Sequence, residues 1–85
     1  MSQHYTKVTF WKLYDKLPYD IQRIADKQYR LLEDDPQHPS LQFKPIGPFW
    51  SARVTKNYRA LARKQGNDFV WFWIGHHDDY DRIIG

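Results

Sequence analysis

The residues best suited to chemistry lie together near the C-terminus, directly after the most apolar segment of the chain. That segment runs from Phe69 to Ile74 and stops at Gly75. Histidines, carboxylates, a tyrosine and an arginine follow at once: His76, His77, Asp78, Asp79, Tyr80, Asp81 and Arg82. Histidine exchanges protons near neutral pH, and a tyrosine ring stacks on a base or donates a hydrogen bond. The sequence therefore predicts a binding or catalytic site just past the end of a buried strand.

His77 and Tyr80 have the most informative spacing in this group. If a helix begins near Asp78, the i, i+3 spacing brings the two side chains together near its N-terminus, where the helix dipole favours an anion. The alternative is structural: His77 merely precedes the helix, and Tyr80 packs on the sheet. We predict no metal, because adjacent histidines in an extended chain point to opposite sides and no HExxH or spaced His/Cys set occurs.

Basic side chains form a second candidate group. The segment 43–63 contains no acidic residue and five basic ones: Lys44, Arg53, Lys56, Arg59 and Arg63. Side chains alternate between the two faces of a strand, so a set of alanines and a valine facing the helices would place Arg53, Arg59 and Arg63 on the opposite face. Such a basic, open face suits phosphate binding. The alternative is an ordinary solvated sheet face.

Two helices are predicted to position these groups from the N-terminal half. Apolar residues at i, i+3, i+4 and i+7 predict a helix over 9–17, with Thr9 able to cap its start. Pro18 suits the first turn of a second helix, which continues to about Asp34 and is stopped by Pro36.

Strand patterns follow the helices. The predicted strands are 41–46, 50–54, 58–63 and 69–74. Pro45 confines the first of them to a sheet edge, Asn57 can take a positive φ in a turn, and a short helix begins at about Asp78. The fold class is α+β: two N-terminal helices packed on a three- to four-stranded antiparallel sheet, with a short C-terminal helix.

Composition limits the other possibilities. Residues 1–85 form a single domain by length. The absence of cysteine excludes disulfides and thiolate metal sites and favours a reducing, cytoplasmic location. No apolar run is long enough for a signal peptide or a membrane span. The net charge of +3 permits a nucleic-acid or acidic partner. The sequence contains no glycine-rich phosphate loop, so we predict no cofactor.

Four motifs resemble one known family when they are taken in this order. They are HPSLxFK at 38–44, WSxRV at 50–54, NYRAL at 57–61 and WxWIGxHxxYD at 71–81. Together with the predicted order of elements, they resemble the RelE/ParE superfamily of type II toxin–antitoxin toxins over nearly the whole chain. The similarity is greatest to small ParE-like, RelE-like or HigB-like members known as cytotoxic translational repressors.

The resemblance implies an activity. RelE-type members are metal-independent endoribonucleases (mRNA interferases) that cut mRNA, usually on the ribosome, and inhibit translation. ParE-type members share the fold and instead inhibit DNA gyrase. Both are neutralised by a cognate antitoxin. A catalytically degenerate member that acts by protein binding is a third possibility.

The resemblance also implies roles for individual residues. Arg59 is similar to the strand arginine that contacts the scissile phosphate, and Arg53 lies where the preceding strand carries a basic residue. His77 and Tyr80 fall in the region of the catalytic or stacking residues, so the implied catalytic set is Arg59, His77 and Tyr80. The implied substrate-binding residues are Lys44, Arg53, Arg63 and His76.

Overall fold

The computed structural model describes residues 2–85, and Met1, the first residue of the predicted domain, lies outside them. The elements are β1 (His4–Thr6), α1 (Val8–Tyr14), α2 (Tyr19–Asp34), a 3₁₀ turn (Pro39–Leu41), β2 (Lys44–Ile46), β3 (Phe49–Thr55), β4 (Tyr58–Gln65), β5 (Asp68–His76) and α3 (His77–Ile84). The strands form one sheet in the order β1-β5-β4-β3-β2. None of the helices in the described range is long and apolar enough to cross a membrane.

The predicted α+β class is confirmed, with one strand more than expected. Strands β2 to β5 pair antiparallel, as predicted, and Pro45 lies in the edge strand β2. The additional strand β1 pairs parallel to β5, with His4 opposite Phe69. Three residues are too few to show an alternating pattern, so β1 gives no signal in the sequence. Its pairing makes β5 an interior strand, which agrees with its apolar character.

Several predicted boundaries are wrong. Helix α1 begins at Val8, with Lys7 rather than Thr9 at the N-cap position, and ends at Tyr14 rather than at residue 17. The predicted strand 41–46 begins only at Lys44, because the 3₁₀ turn comes first and Gln42 after it adopts a left-handed conformation with φ 46°. Asn57 does not take a positive φ.

The main core lies between the helices and one face of the sheet. Ala52, Ala60 and Ile74 lie side by side across β3, β4 and β5 on this face. They pack with Phe10 of α1 and Leu32 of α2, and all five are buried. Because the alanines are small, the helices approach the sheet closely. The alternation predicted from the sequence is thus correct, and the arginines of β3 and β4 project from the other face.

That other face, which we call the basic face, is altered by a bulge in β5. Leu61 pairs with Trp73, whereas the next residue, Ala62, pairs with Trp71, so Phe72 has no partner in the ladder. The Thr9 hydroxyl donates a hydrogen bond of 3.2 Å to the Phe72 carbonyl oxygen. A bulge breaks strict alternation, and both Phe72 and Trp73 contact side chains of the basic face.

Gly75 does not end β5 as predicted. The strand continues through Gly75 to His76, and α3 follows without a loop. A Cβ atom at Gly75 would lie 2.7 Å from Cζ2 of Trp73. Glycine is therefore required there because the indole of Trp73 packs directly over the backbone.

Candidate functional site

Two arginines lie directly opposite each other at the centre of the basic face. Arg53 on β3 pairs with Arg59 on β4, and both are half-buried. Side chains in such a pair begin about 5 Å apart, and like charges there destabilise the sheet. Among residues 2–85, no ion pair joins either arginine to a carboxylate. The fold therefore concentrates positive charge at one place without neutralising it, as expected of an anion-binding site.

Arg59 is oriented by two neighbours. Its Nη1 donates a hydrogen bond of 3.3 Å to Oε1 of Gln42, and its guanidinium carbon lies 5.7 Å from the centroid of the Tyr80 ring. Gln42 is the only non-glycine residue with positive φ in the described chain. Such a conformation costs of the order of 1–3 kcal/mol. Gln42 could not be singled out from the sequence, because its contact with Arg59 depends on a strained backbone.

Tyr80 is buried, and its ring is not exposed for stacking on a base. Only 6% of its surface is accessible. Its hydroxyl donates a hydrogen bond of 3.0 Å to Oγ of Ser51, which is wholly buried, and its ring centroid lies 6.4 Å from that of Trp73. This geometry corresponds to the structural alternative, in which Tyr80 packs on the sheet. Its catalytic role stays a prediction.

His77 lies at the start of α3, beside the turn between β3 and β4. Its backbone N–H donates a hydrogen bond of 2.8 Å to the carbonyl of Asn57. Its Nδ1 lies 3.3 Å from Oδ1 of Asp78 and 3.9 Å from Oδ2 of Asp81. The side chain of His77 therefore contacts these carboxylates, whereas the hydroxyl of Tyr80 bonds to Ser51. The predicted contact between His77 and Tyr80 is not among these interactions.

His76 caps α3. Its Nδ1 accepts a hydrogen bond of 3.2 Å from the backbone N–H of Asp78. Its ring stacks on that of His77 at 4.6 Å and meets Tyr58 edge-on at 5.4 Å. By strand alternation, His76 projects to the opposite side from Gly75 and hence from Arg59.

The two adjacent histidines do not point to opposite sides, as the prediction of no metal site had assumed. The two histidine rings do not diverge, because the strand ends at His76 and the helix begins at His77. One ligand atom each from His76, His77 and Asp78 lie within 4.8 Å of one another. These are the residues of the region that could hold a metal ion. His76 Nδ1 accepts the amide of Asp78, so the other ring nitrogen, Nε2, is the one that could bind an ion.

The acidic residues of α3 are engaged within their own helix. Asp78 and Asp79 lie in its first turn, where negative charge is favourable to the helix dipole. Arg82 approaches Asp79 at 3.3 Å, and Asp81 lies next to His77. The acidic cluster that follows β5 in the sequence is therefore compatible with an anion-binding face on β3 and β4.

Lys44 and Arg63 complete the basic face. Lys44 is exposed on the edge strand and lies opposite Ser51, which places it on the side of Tyr80. Arg63 is exposed, and its guanidinium carbon lies 5.1 Å from the ring of Phe49 and 5.3 Å from that of Phe72. The structure therefore places Lys44, Arg53, Arg59 and Arg63 on one face. His76 projects to the other side of the sheet, and His77 begins α3 beside the turn between β3 and β4.

Comparison with known families agrees with this architecture. The family model described as a ParE-like toxin domain matches residues 19–82, which is more than half of the chain. This chain belongs to the ParE-like toxin family. It is thereby a member of the RelE/ParE superfamily of type II toxins, as the sequence motifs predicted. No curated protein sequence matches the chain.

Solved structures share the fold at low sequence identity. A chain of the RelB–RelE antitoxin–toxin complex from Methanococcus jannaschii superposes with a TM-score of 0.73 and 15% identity, covering 95% of this chain and 99% of that one. YafQ from E. coli superposes with a TM-score of 0.73 and 10% identity, covering 94% of this chain and 98% of YafQ. The YoeB/ParE toxin from Agrobacterium tumefaciens superposes with a TM-score of 0.66 and 15% identity, covering 88% of this chain and 98% of that toxin. At these identities the matches establish the fold of this ParE-like toxin and leave its target open.

Proposed function

We propose that this ParE-like toxin is a metal-independent endoribonuclease that cleaves mRNA and thereby inhibits translation. The observation that supports the proposal is the Arg53–Arg59 pair, which lies on an accessible sheet face without a carboxylate partner in the described chain. An RNA phosphodiester is an anion that can bridge two adjacent guanidinium groups, and arginine binds phosphate through two parallel hydrogen bonds.

The chemistry needs charge stabilisation and proton transfer. The 2′-hydroxyl oxygen of the RNA attacks the adjacent phosphorus, and the P–O5′ bond breaks. The products are a 2′,3′-cyclic phosphate and a 5′-hydroxyl, so one proton leaves the 2′-oxygen and one reaches the 5′-oxygen. Arg59 and Arg53 stabilise the negative charge that develops on the phosphoryl oxygens. We assign the role of general acid or base to His77, which begins α3 beside the turn between β3 and β4.

The other predicted residues support these groups. Tyr80, held by its bond to Ser51, positions the guanidinium of Arg59 through its ring. His76 stacks on His77 and limits the movement of that ring. Lys44 and Arg63 bind neighbouring parts of the RNA backbone, to which exposed basic groups are attracted over several ångströms.

The proposed protein partner is a cognate antitoxin in the cytoplasm. One structural match is a chain of an antitoxin–toxin complex. On the helical side, α1 and α2 expose Val8, Trp11, Tyr19 and Ile24 to solvent. Large exposed apolar side chains are typical of protein interaction sites, and an amphipathic helix or extended segment of the antitoxin suits them.

The decisive experiment compares growth inhibition and RNA cleavage for wild type, Arg59→Ala and His77→Ala, with Arg23→Ala as a matched control. Arg23 is an exposed arginine of α2, whose guanidinium lies over Tyr19. We expect wild type and Arg23→Ala to arrest growth and to produce specific mRNA cuts. Removing one group that stabilises the transition state reduces turnover about 10²- to 10³-fold, so Arg59→Ala and His77→Ala should lose both effects while circular dichroism shows an intact fold.

The opposite results have distinct meanings. Full toxicity and cleavage by Arg59→Ala and His77→Ala would show that the site is elsewhere. A DNA damage response without RNA cuts would replace the nuclease by a gyrase inhibitor, an alternative that the match to the ParE-like toxin family favours. A folded wild-type chain with neither effect would indicate a degenerate member that acts by binding proteins.

A further inference from the structure

Three side chains form a cluster at the far end of the basic face: Phe49, Phe72 and Arg63. The proposed cleavage gives the two phenylalanines no role and uses only the charge of Arg63. The ring centroids of Phe49 and Phe72 lie 5.5 Å apart with an interplanar angle of 51°. The guanidinium carbon of Arg63 lies 5.1 Å from the first ring and 5.3 Å from the second. Both phenylalanines are half-buried and Arg63 is exposed. We call these three residues the aromatic platform.

The β5 bulge is what creates the platform. Without it, strict alternation would place only one of Phe72 and Trp73 on the basic face. The bulge allows Trp73 to pack against Tyr80 while Phe72 contacts Phe49, and Thr9 satisfies the carbonyl that the ladder leaves free. Bulges of this kind often redirect a side chain next to a functional site.

We propose that the aromatic platform is a nucleobase-stacking subsite for single-stranded RNA. The proposal rests on the proposed ribonuclease function and extends it by naming how the RNA is held beside the cleaved bond. An unpaired base stacks favourably on an aromatic ring or on the plane of a guanidinium group. The guanidinium of Arg63 already lies over both rings, 5.1 and 5.3 Å from their centroids, so no base fits between them. A base therefore stacks on the outer, exposed side of Arg63, and the rings of Phe49 and Phe72 support the guanidinium from beneath.

The position of the platform fits an RNA strand that runs along β4. Arg59 and Arg63 project from the same face four residues apart, which corresponds to ~13 Å along a strand. A strand whose phosphate occupies the arginine pair can therefore place a nearby base on the platform. Duplex RNA does not fit this arrangement, because its bases are paired and stacked inside the helix.

Replacing Arg63 by lysine distinguishes base stacking from simple electrostatic attraction. If Arg63 only attracted phosphate or covered two apolar rings, a lysine would serve equally well, since its stem covers apolar surface and its head is charged. Stacking needs the planar, weakly hydrated guanidinium. Arg63→Lys therefore keeps the charge and removes the stacking surface, and it disturbs no buried group because Arg63 is exposed.

The test is a binding titration by fluorescence anisotropy with two labelled probes at one salt concentration. One probe is a 2′-O-methyl RNA decamer, which lacks the attacking hydroxyl and stays intact. The other is a fully abasic oligonucleotide of the same length. The variants are Arg63→Lys, Phe72→Leu and Phe49→Leu, with Arg23→Lys on α2 as the matched control.

We expect Arg63→Lys and Phe72→Leu to weaken binding of the base-containing probe about tenfold, the typical effect of losing one stacked base. Binding of the abasic probe should not change, and Arg23→Lys should bind both probes as wild type does. If Phe72→Leu or Phe49→Leu unfolds, Arg63→Lys alone decides the question.

Two other outcomes overturn the proposal. If Arg63→Lys binds the base-containing probe as tightly as wild type, or wild type does not distinguish the probes, the platform does not stack on bases. Specific mRNA cuts in cells would then still support the ribonuclease. If wild type binds neither probe and cuts no RNA in cells, the platform and the proposed function fail together.

Discussion

The hydroxyl groups of Tyr80 and Ser51 meet inside the protein, next to the arginine that we assign to the phosphate. Ser51 is the one polar residue that is buried in the described chain. Its pairing with Tyr80 connects α3 to β3, and the ring of Tyr80 faces the guanidinium of Arg59. A polar group that loses its partner in the interior retains the full cost of its desolvation. The pair therefore fixes the position of α3 and, through it, of Arg59.

Tyr80→Phe should lower the free energy of unfolding by about 1–3 kcal/mol, because it leaves Oγ of Ser51 without its partner. The double variant Tyr80→Phe/Ser51→Ala should be more stable than the sum of the single changes predicts, since neither polar group remains. Urea unfolding measures both effects. Tyr19→Phe is the control, since Tyr19 is 72% exposed and should lose almost nothing. Additive losses would show that the bond contributes little.

Prediction from the sequence was uneven for single residues. Arg53 and Arg59 could be placed on one face because strand alternation is local. Gln42 could not be found, because its contact with Arg59 depends on a left-handed backbone after the 3₁₀ turn. The burial of Tyr80 could not be decided either, since it depends on how α3 docks on the sheet.

Among the elements, strand β1 is held against β5 by the side chain of one histidine, His4. The imidazole of His4 stacks on Phe69 with ring centroids 5.3 Å apart, and its Nδ1 accepts a hydrogen bond of 3.0 Å from Nε1 of Trp71. Only an unprotonated Nδ1 can accept that bond. Burial lowers the pKa of His4 below its usual 6.5, and this effect exceeds the opposing attraction of Glu33 and Asp68. The neutral form of His4 therefore holds β1 on β5.

The sign of the pH dependence follows from that lowered pKa. The unfolded chain binds the His4 proton more readily than the folded chain, so this contribution to stability is complete above about pH 6.5 and is lost as the pH falls below it. His4→Gln keeps an acceptor and cannot be protonated. Urea unfolding at several pH values between 5 and 7.5 should show a shallower loss of stability for His4→Gln than for wild type. Parallel curves would show that His4 does not link β1 to pH.

Across the molecule, the two sides of the sheet expose different sets of side chains. Lys44, Arg53, Arg59 and Arg63 share the basic face, whereas the exposed apolar residues of α1 and α2 lie on the helical side. The net charge of only +3 conceals this asymmetry. A basic face opposite a side that exposes several large apolar residues allows a nucleic acid and a protein partner to approach from different directions.

The salt dependence of RNA binding should show how many phosphates the basic face contacts. Each phosphate contact with a single strand contributes ~0.7 to the slope of log K against log salt concentration. Up to four contacts on this face give a slope of about −2 to −3, and Arg59→Ala should reduce its magnitude by ~0.7. Titrations of the 2′-O-methyl decamer at several salt concentrations measure it. Arg23→Ala should retain the wild-type slope, and a slope near zero would contradict phosphate binding by this face.

Four features could be predicted from local patterns in the chain: the α+β class, the helix–helix–strand order, the edge position of Pro45 and the face on which Arg53, Arg59 and Arg63 lie. These features follow from periods of 2 and 3.6 residues and from proline, all of which act over a few neighbouring residues. The same local patterns carried the motifs that led to the family.

The contacts between these elements could not be predicted from the sequence. The pairing of β1 with β5, the bulge that places Phe72 beside Phe49, and the burial of Tyr80 against Ser51 join residues far apart in the chain. No local period encodes such contacts, because each depends on packing and hydrogen bonds that form after the elements come together. The order of residues thus supplied the charges of the site, and the packing of α3 and the β5 bulge supplied its shape.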